Sequence, residues 1–212
     1  MLYAFFGKAG EDGQAGVLDQ IYIRWIVTWS FAIAWQVFFM QETKIGMVLS
    51  SVVIALSACY MNAASVRARS SARSTWVQTV SVSLPSSIFA GWSVAATSVQ
   101  FVVTAFAYGA SHDALVKASF AVLAVVLLIA MLQIFAAKDV FYVIPVVWAL
   151  MGVDSGATDD SIHTVAKAGA AAVALAGLVE LCIQVIAHVR AKPARQNFVT
   201  ADKSSEPLLT KP

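Results

Sequence analysis

Hydrophobic residues occur in six long runs along the chain, separated by short polar stretches. The runs lie near 18–40, 44–64, 77–107, 114–136, 138–153 and 162–189. A helix needs about 20 apolar residues to cross the hydrocarbon core of a bilayer, and every run except the fifth reaches that length. None of the runs alternates with the period of two that is typical of a membrane β-barrel. The pattern predicts an all-α, polytopic transmembrane helical bundle of about six spans.

Two of the six runs depart from a simple spanning helix. The third is longer than a span and contains Pro85, which cannot donate the helical hydrogen bond to the carbonyl four residues earlier. We therefore expect the third helix to be broken or kinked near its start. The fifth run is short, and it reaches span length only if part of Asp154–Thr158 joins it.

Composition supports a membrane protein and excludes several other classes. Of the 212 residues, 59% are apolar and 12% are charged, whereas a soluble domain carries roughly 25% charged residues. These values exclude a soluble enzyme and a disordered regulator, and a net charge of +2 excludes a basic nucleic-acid binder. We therefore expect the protein to interact with a lipid bilayer, although the sequence does not indicate which membrane of the cell this is.

Basic residues set the expected topology. With six spans, most of the Lys and Arg residues share one side with both ends of the chain: Lys8, Arg67, Arg69, Arg73, Lys138, Arg190, Lys192, Arg195, Lys203 and Lys211. We expect this side, and both termini, to face the cytosol. The chain then divides into an N-terminal segment (1–17), a transmembrane bundle (18–190) and a flexible cytosolic tail (191–212).

A polar stripe runs along the third span. Its members recur at steps of 7, 4, 3 and 4, which places them on one narrow helical face: Ser86, Ser93, Thr97, Gln100 and Thr104. Trp92 and Phe89 flank the stripe. Because such a face is costly to expose to lipid, it contacts other helices or lines a cavity. The first interpretation predicts hydrogen bonds between helices, and the second predicts a ligand site.

Tryptophans within the spans raise the same two alternatives. Trp25 and Trp29 share one face of the first span, and Trp148 follows Pro145 in the fifth. Trp29 lies too deep to be an interfacial anchor, so its indole N–H needs a partner. Such rings either pack in the core or receive a flat aromatic ligand.

Two ionisable residues lie inside spans, where such residues are functional candidates. Arg24 in the first span and Glu180 in the last lie at similar depths, so we expect an intramembrane ion pair. The pair would either tie the two helices together or form a proton- or substrate-linked site.

No pattern in the sequence predicts an enzyme. The histidines are scattered, so we predict no metal site, and no phosphate-binding glycine loop or nucleophile elbow occurs. We expect neither covalent chemistry nor an obligatory cofactor. Small residues recur at steps of four in the last span (Ala166, Ala170 and Ala174), which favours close helix packing within the bundle or across a homodimer.

Two segments resemble a known family. The segment from Leu84 to Thr97, Leu-Pro-Ser-Ser-Ile-Phe-Ala-Gly-Trp-Ser-Val-Ala-Ala-Thr, is similar to the Pro-Phe-Ser…Gly-Trp…Ala-Thr signature of tryptophan-rich sensory proteins in the TspO/translocator protein superfamily. Lys138-Asp139 followed by Trp-Ala-Leu-Met-Gly at 148–152 resembles a second signature of its long, divergent branch. The close match covers roughly 40 residues, and a looser one runs from about 21 to 187. Gln100 stands where the family has Asn, and the branch's additional first helix has no equivalent before residue 18.

The resemblance implies a helical bundle that binds a flat hydrophobic molecule, porphyrin- or sterol-like, for transport or sensing. Trp92, Thr97, Gln100 and Trp148 match the family's motifs and are the expected pocket residues, and Ser93 and Trp29 lie beside them. Two other functions fit the sequence. One is a small-solute transporter or channel, and the other is a structural subunit of a larger membrane complex.

Overall fold

The computed structural model describes residues 15–70 and 79–204, and it describes side chains for 21–69 and 79–190. Within these residues six α-helices follow one another: α1 (Ala15–Phe39), α2 (Lys44–Ser70), α3 (Leu84–Ala107), α4 (His112–Phe135), α5 (Val143–Gly156) and α6 (Asp160–Ser204). A π-helical turn, Thr79–Ser83, leads into α3, and a 3₁₀ turn, Val140–Tyr142, leads into α5. The predicted all-α membrane bundle is confirmed.

Five of the helices in this part of the chain are long and apolar enough to cross a membrane. The remaining apolar segment, Val140–Gly156, is shorter, as its brief hydrophobic run predicts. The helices belong to an integral, multi-pass membrane protein.

The start of α3 shows the predicted irregularity. Pro85 occupies the first turn of the α-helix, where its missing N–H costs nothing, and the five residues that precede this helix are wound as a π-helix. The chain therefore accommodates the proline by changing the winding of the preceding turn.

Side-chain caps begin the later helices. The Ser111 hydroxyl accepts from the Ala114 N–H at the start of α4, and the Asp159 carboxylate accepts from Ser161 and Ile162 at the start of α6. These caps satisfy amide groups that have no partner within the helix. α6 continues to Ser204, beyond the predicted end of the bundle at 190, because residues such as Ala191, Lys192 and Ala194 favour a helix. The rest of the predicted tail, 205–212, and residues 1–14 of the N-terminal segment lie outside the described residues.

α3 lies at the centre of the bundle. It packs against α2, α4 and α5, while α1 packs mainly on α2 and α6 packs on α4 and α5. The main core is built from residues of all the helices from α2 to α6 and of the 3₁₀ turn before α5, and it includes Met61, Ile134, Tyr142, Val146 and Val173. α1 and α6 are thus on different sides of the bundle.

Two glycines allow especially close helix contacts. A Cβ atom on Gly91 would lie 2.6 Å from Pro145 Cγ, where α3 meets α5. A Cβ atom on Gly177 would lie 2.4 Å from Val143 Cγ2, where α6 meets α5. Both distances are far below van der Waals contact. Ala166 and Ala170 of the small-residue row are also buried, whereas Ala174 is exposed.

Candidate ligand-binding site

The aromatic residues of α1 and α3 form one continuous stack. The ring centroids of Trp29 and Phe89 are 4.7 Å apart, and those of Phe89 and Trp92 are 5.3 Å apart. Trp35 then meets Trp92 edge to face at 5.8 Å. Nearer the start of α1, the Trp25 indole donates to the Ser86 hydroxyl at 3.0 Å. The predicted tryptophan face of α1 therefore packs against the flank of the polar stripe.

Gln100 connects three helices through its side-chain amide. Its oxygen accepts from the Trp35 indole N–H at 3.1 Å, and its nitrogen donates to the Ser50 hydroxyl of α2 at 2.8 Å. The Thr104 hydroxyl completes the cluster by donating to the Met47 carbonyl at 3.2 Å. Because Gln100 is buried and bonded at both ends, this part of the stripe forms hydrogen bonds between helices.

The remaining members of the stripe bond to their own helix. The Ser93 hydroxyl donates to the Ala90 carbonyl, and the Thr97 hydroxyl donates to the Ser93 carbonyl at 2.7 Å. These bonds satisfy both hydroxyl protons inside the apolar bundle. Thr97 also lines a groove between α2, α3 and α4.

Trp148 does not join the other predicted pocket residues. Its side chain is 67% exposed on the outer face of α5, and Trp29 at the end of the aromatic stack is 46% exposed. In a membrane these surfaces face lipid. Hydropathy contains no information on which side of α5 meets α3.

The predicted Arg24–Glu180 pair is replaced by another in the structure. Glu180 is only 1% exposed, and its carboxylate accepts from Lys138 Nζ at 3.2 Å and from Gln184 Nε2 at 3.1 Å. Gln184 also donates to the Lys138 carbonyl. Because α1 and α6 lie on different sides of the bundle, Arg24 is not the partner, and the connection between α4 and α5 supplies the cation.

An apolar groove of about 520 Å³ lies between α2, α3 and α4. α3 forms its floor and the other two helices form its walls; the lining residues include Ala55, Cys59, Val94, Thr97, Phe101 and Val125. Phe101 and Val125 are about half exposed, and Cys59 is exposed. The groove is therefore open sideways, toward the lipid around the bundle. Its volume lies in the range of small-molecule sites.

The amides of Asn62 and Gln133 line one end of the groove. Gln133 Nε2 donates to Asn62 Oδ1 at 2.9 Å, and Asn62 Nδ2 donates to the Ala58 carbonyl at 2.8 Å. The hydrogen bond between the two amides joins α2 to α4 where the two walls meet. This polar end was not predicted, although isolated amides in long apolar runs are a signal that could have identified it.

A buried ion pair lies directly behind this polar end. Arg69 pairs with the fully buried Asp139, donates to Ser87 Oγ at 2.6 Å and approaches Gln133 Oε1 at 3.4 Å. The Asp139 carboxylate also accepts from the Phe141 and Tyr142 N–H groups. The charges are neutralised within the network, which connects α2, α3 and the α4–α5 connection. Asp139 belongs to the family's Lys-Asp signature, whereas the sequence indicated only a topology role for Arg69.

A second cavity, of about 370 Å³, lies between α3, α4, α5 and α6. Its floor is apolar, with Leu123, Val126 and Leu150, and His112 and Asp159 line its other end near the loops. Ser98 and Val122 line both cavities. The two cavities therefore adjoin at these residues of α3 and α4.

The fold and these cavities define a class: an integral membrane protein whose helical bundle encloses apolar spaces that end in polar side chains. The sequence matches the family model described as TSPO-like protein over residues 1–180. The chain thus belongs to the TSPO-like family, as its two signatures suggested. Comparisons with curated proteins and with solved structures found no match.

Proposed function

We propose that this TSPO-like protein binds a flat hydrophobic small molecule, porphyrin- or sterol-like, in the groove between α2, α3 and α4. The proposal depends mainly on one observation: an apolar groove of ligand size is open toward lipid at its side and ends in two amides. It changes the site expected from the sequence. Trp92 and Gln100 contact other helices, so the ligand would contact the neighbouring face of α3, which presents Val94, Thr97 and Phe101.

The chemistry of the groove supports this class of molecule. A rigid flat ligand loses little conformational entropy when it binds between two helices. The small side chains of Ala55 and Ala58 leave room for a ring system, and Val94 and Val125 provide apolar contacts. No step requires covalent chemistry or a cofactor.

The two cysteines of the chain provide a direct test. Cys59 lines the groove, whereas Cys182 is exposed on α6 and lines neither cavity. In a Cys182→Ser variant reconstituted in nanodiscs, the rate at which a membrane-permeant maleimide labels Cys59 should fall as a sterol or an uncharged porphyrin, protoporphyrin dimethyl ester, is added. The matched Cys59→Ser variant, which retains Cys182, should be labelled at an unchanged rate.

Equal protection of both cysteines would mean that the ligand only partitions into the lipid, and no protection of Cys59 would exclude the groove. A filling substitution gives an independent check. Ala55→Leu places a larger side chain in the groove and should abolish protection, whereas Ala63→Leu, on an exposed face of the same helix, should preserve it.

The shared lining of the two cavities favours translocation as a second candidate function. The groove and the second cavity occupy different depths along α4, and both are lined by Ser98 and Val122, where they adjoin. Separation of these residues would open a path from the Asp159 end toward the Asn62 end. Ser119→Leu, which places a larger side chain in the second cavity and not in the groove, should then slow uptake of a fluorescent ligand into proteoliposomes while Cys59 protection persists. Equal uptake rates in protein-containing and empty liposomes would exclude transport.

A further inference from the structure

We infer that the groove selects ligands whose polar end is a single uncharged hydrogen-bond acceptor, a ketone or hydroxyl oxygen, and rejects ligands that end in a carboxylate. This inference rests on the proposed function and specifies its ligand class. It comes from the hydrogen-bonding groups that remain available at the polar end of the groove.

The side-chain oxygens of both amides at this end accept hydrogen bonds within the protein, but not all of their N–H groups donate one. Asn62 Oδ1 accepts from Gln133, and Gln133 Oε1 accepts from Arg69. Each amide nitrogen carries two N–H groups, and the bonds among the described residues use one on Asn62 and one on Gln133. One N–H donor of Gln133 is left for a ligand, and one of Asn62 is left for a ligand or for the nearby Tyr142 hydroxyl.

Tyr142 is a third polar group next to the two amides. Its side chain is fully buried, and its hydroxyl lies near the Asn62 side chain, but the geometry leaves the hydroxyl without a well-formed hydrogen bond among the described residues. A buried hydroxyl without a partner costs about 1–3 kcal/mol. The hydroxyl does not line the groove, so a ligand would affect it only by shifting the neighbouring Asn62 amide.

The charges near the groove argue against an anionic ligand. The nearest cation, Arg69, is paired with Asp139 and bonded to Ser87. A ligand carboxylate would therefore lose its hydration without gaining a free counter-charge, which is unfavourable in an apolar site. A ketone or hydroxyl oxygen needs only donors, and the polar end supplies them.

The test compares four steroids with the same androstane skeleton, which carry at the same carbon a ketone, a hydroxyl, a carboxylate or no polar group. Each is titrated against the Cys182→Ser protein in nanodiscs at neutral pH, and protection of Cys59 reports binding. We expect the ketone and the hydroxyl to bind about tenfold more tightly than the unsubstituted steroid, as one or two buried hydrogen bonds would give. The carboxylate should bind no better than the unsubstituted steroid.

Two substitutions test whether the polar end causes the preference for the ketone. Gln133→Leu and Tyr142→Phe should each reduce the preference for the ketone over the unsubstituted steroid, whereas Tyr60→Phe, on the exposed face of α2, should retain it. Equal affinity for all four steroids, or the highest affinity for the carboxylate, would overturn the inference and leave the groove as a site. Failure of every steroid and of protoporphyrin dimethyl ester to protect Cys59 would overturn the proposed function itself.

Discussion

At the scale of single residues, the side-chain amide of Gln100 forms hydrogen bonds through both its oxygen and its nitrogen inside the bundle. Gln100→Ala should lower the free energy of unfolding by about 2 kcal/mol, because the Trp35 N–H and the Ser50 hydroxyl both lose their partner. Thermal unfolding in detergent measures this change, with Gln36→Ala on the exposed face of α1 as the control. Cys59 protection by ligand should persist in the variant. Loss of protection with unchanged stability would instead make Gln100 a ligand residue.

The Tyr142 hydroxyl should have opposite effects on stability and on binding. Tyr142→Phe removes a buried polar group without a partner among the described residues, so the free energy of unfolding of the ligand-free protein should rise by about 1 kcal/mol. The affinity for the ketone steroid should fall in the same variant. A less stable ligand-free variant would show that the hydroxyl already has a structural partner, and Tyr60→Phe controls for the loss of a hydroxyl as such.

The role of a residue could be predicted from the sequence only where the spacing of residues along one helix determined that role. The steps between Ser93, Thr97 and Gln100 put them on one face, and the predicted alternative of bonds between helices is confirmed for Gln100. The surroundings of Glu180 and Trp148 depended on the rotation of α6 and α5 about their axes. Hydropathy indicates the depth of a residue in the membrane but not this rotation, so Lys138 was missed as the partner of Glu180.

At the scale of the helices, glycines set how closely α5 and α6 approach. Gly177→Ala should destabilise the protein by about 2 kcal/mol, because the new methyl group would overlap Val143. Gly152→Ala is the matched control within α5, where no atom lies within 4 Å of the position that the new methyl group would take. It should raise stability by up to about 1 kcal/mol through helix propensity. Equal effects of the two substitutions on the melting temperature would contradict this packing.

The Lys138–Glu180 pair should respond asymmetrically to the loss of each partner. Lys138→Met leaves the buried Glu180 carboxylate without its cation and should cost about 3 kcal/mol. Glu180→Gln leaves a lysine side chain that is 60% exposed and able to hydrate, so it should cost less than about 1 kcal/mol. The double variant should be about as stable as Glu180→Gln alone. Equal losses in both single variants, measured by chemical unfolding, would contradict a buried carboxylate that depends on Lys138.

The helices themselves were largely predictable, because the requirement for long apolar runs leaves few alternatives in a membrane. The predicted irregularity at Pro85 is confirmed, and the short fifth run is a short helix. The cavities were not predictable in the same way. The groove forms where α2, α3 and α4 meet, and no local pattern around Ala55 or Val125 indicates how these helices are arranged.

At the scale of the whole molecule, the predicted orientation is open to a simple test. Cysteines are introduced into a cysteine-free protein at Glu42, in the α1–α2 connection, or at Ala136, at the opposite end of the bundle. With only the plasma membrane permeabilised, an impermeant maleimide should label the cysteine at 136, because the Lys- and Arg-rich end is expected in the cytosol. If the protein lies in an internal membrane, the cysteine at 42 faces the lumen and should stay unlabelled. The reverse pattern would invert the topology.

Because the groove opens sideways, its occupancy by the proposed ligand would depend on the ligand concentration in the membrane. Phe101 and Val125 form a rim that faces lipid, so the proposed hydrophobic ligand would enter from the bilayer rather than from water. Occupancy would then follow the mole fraction of ligand among the lipids, and the aqueous concentration would matter only through partitioning. Adding empty vesicles at constant total ligand would empty the groove even though nothing competes for it, and a membrane that gains or loses this ligand would change the state of the protein directly.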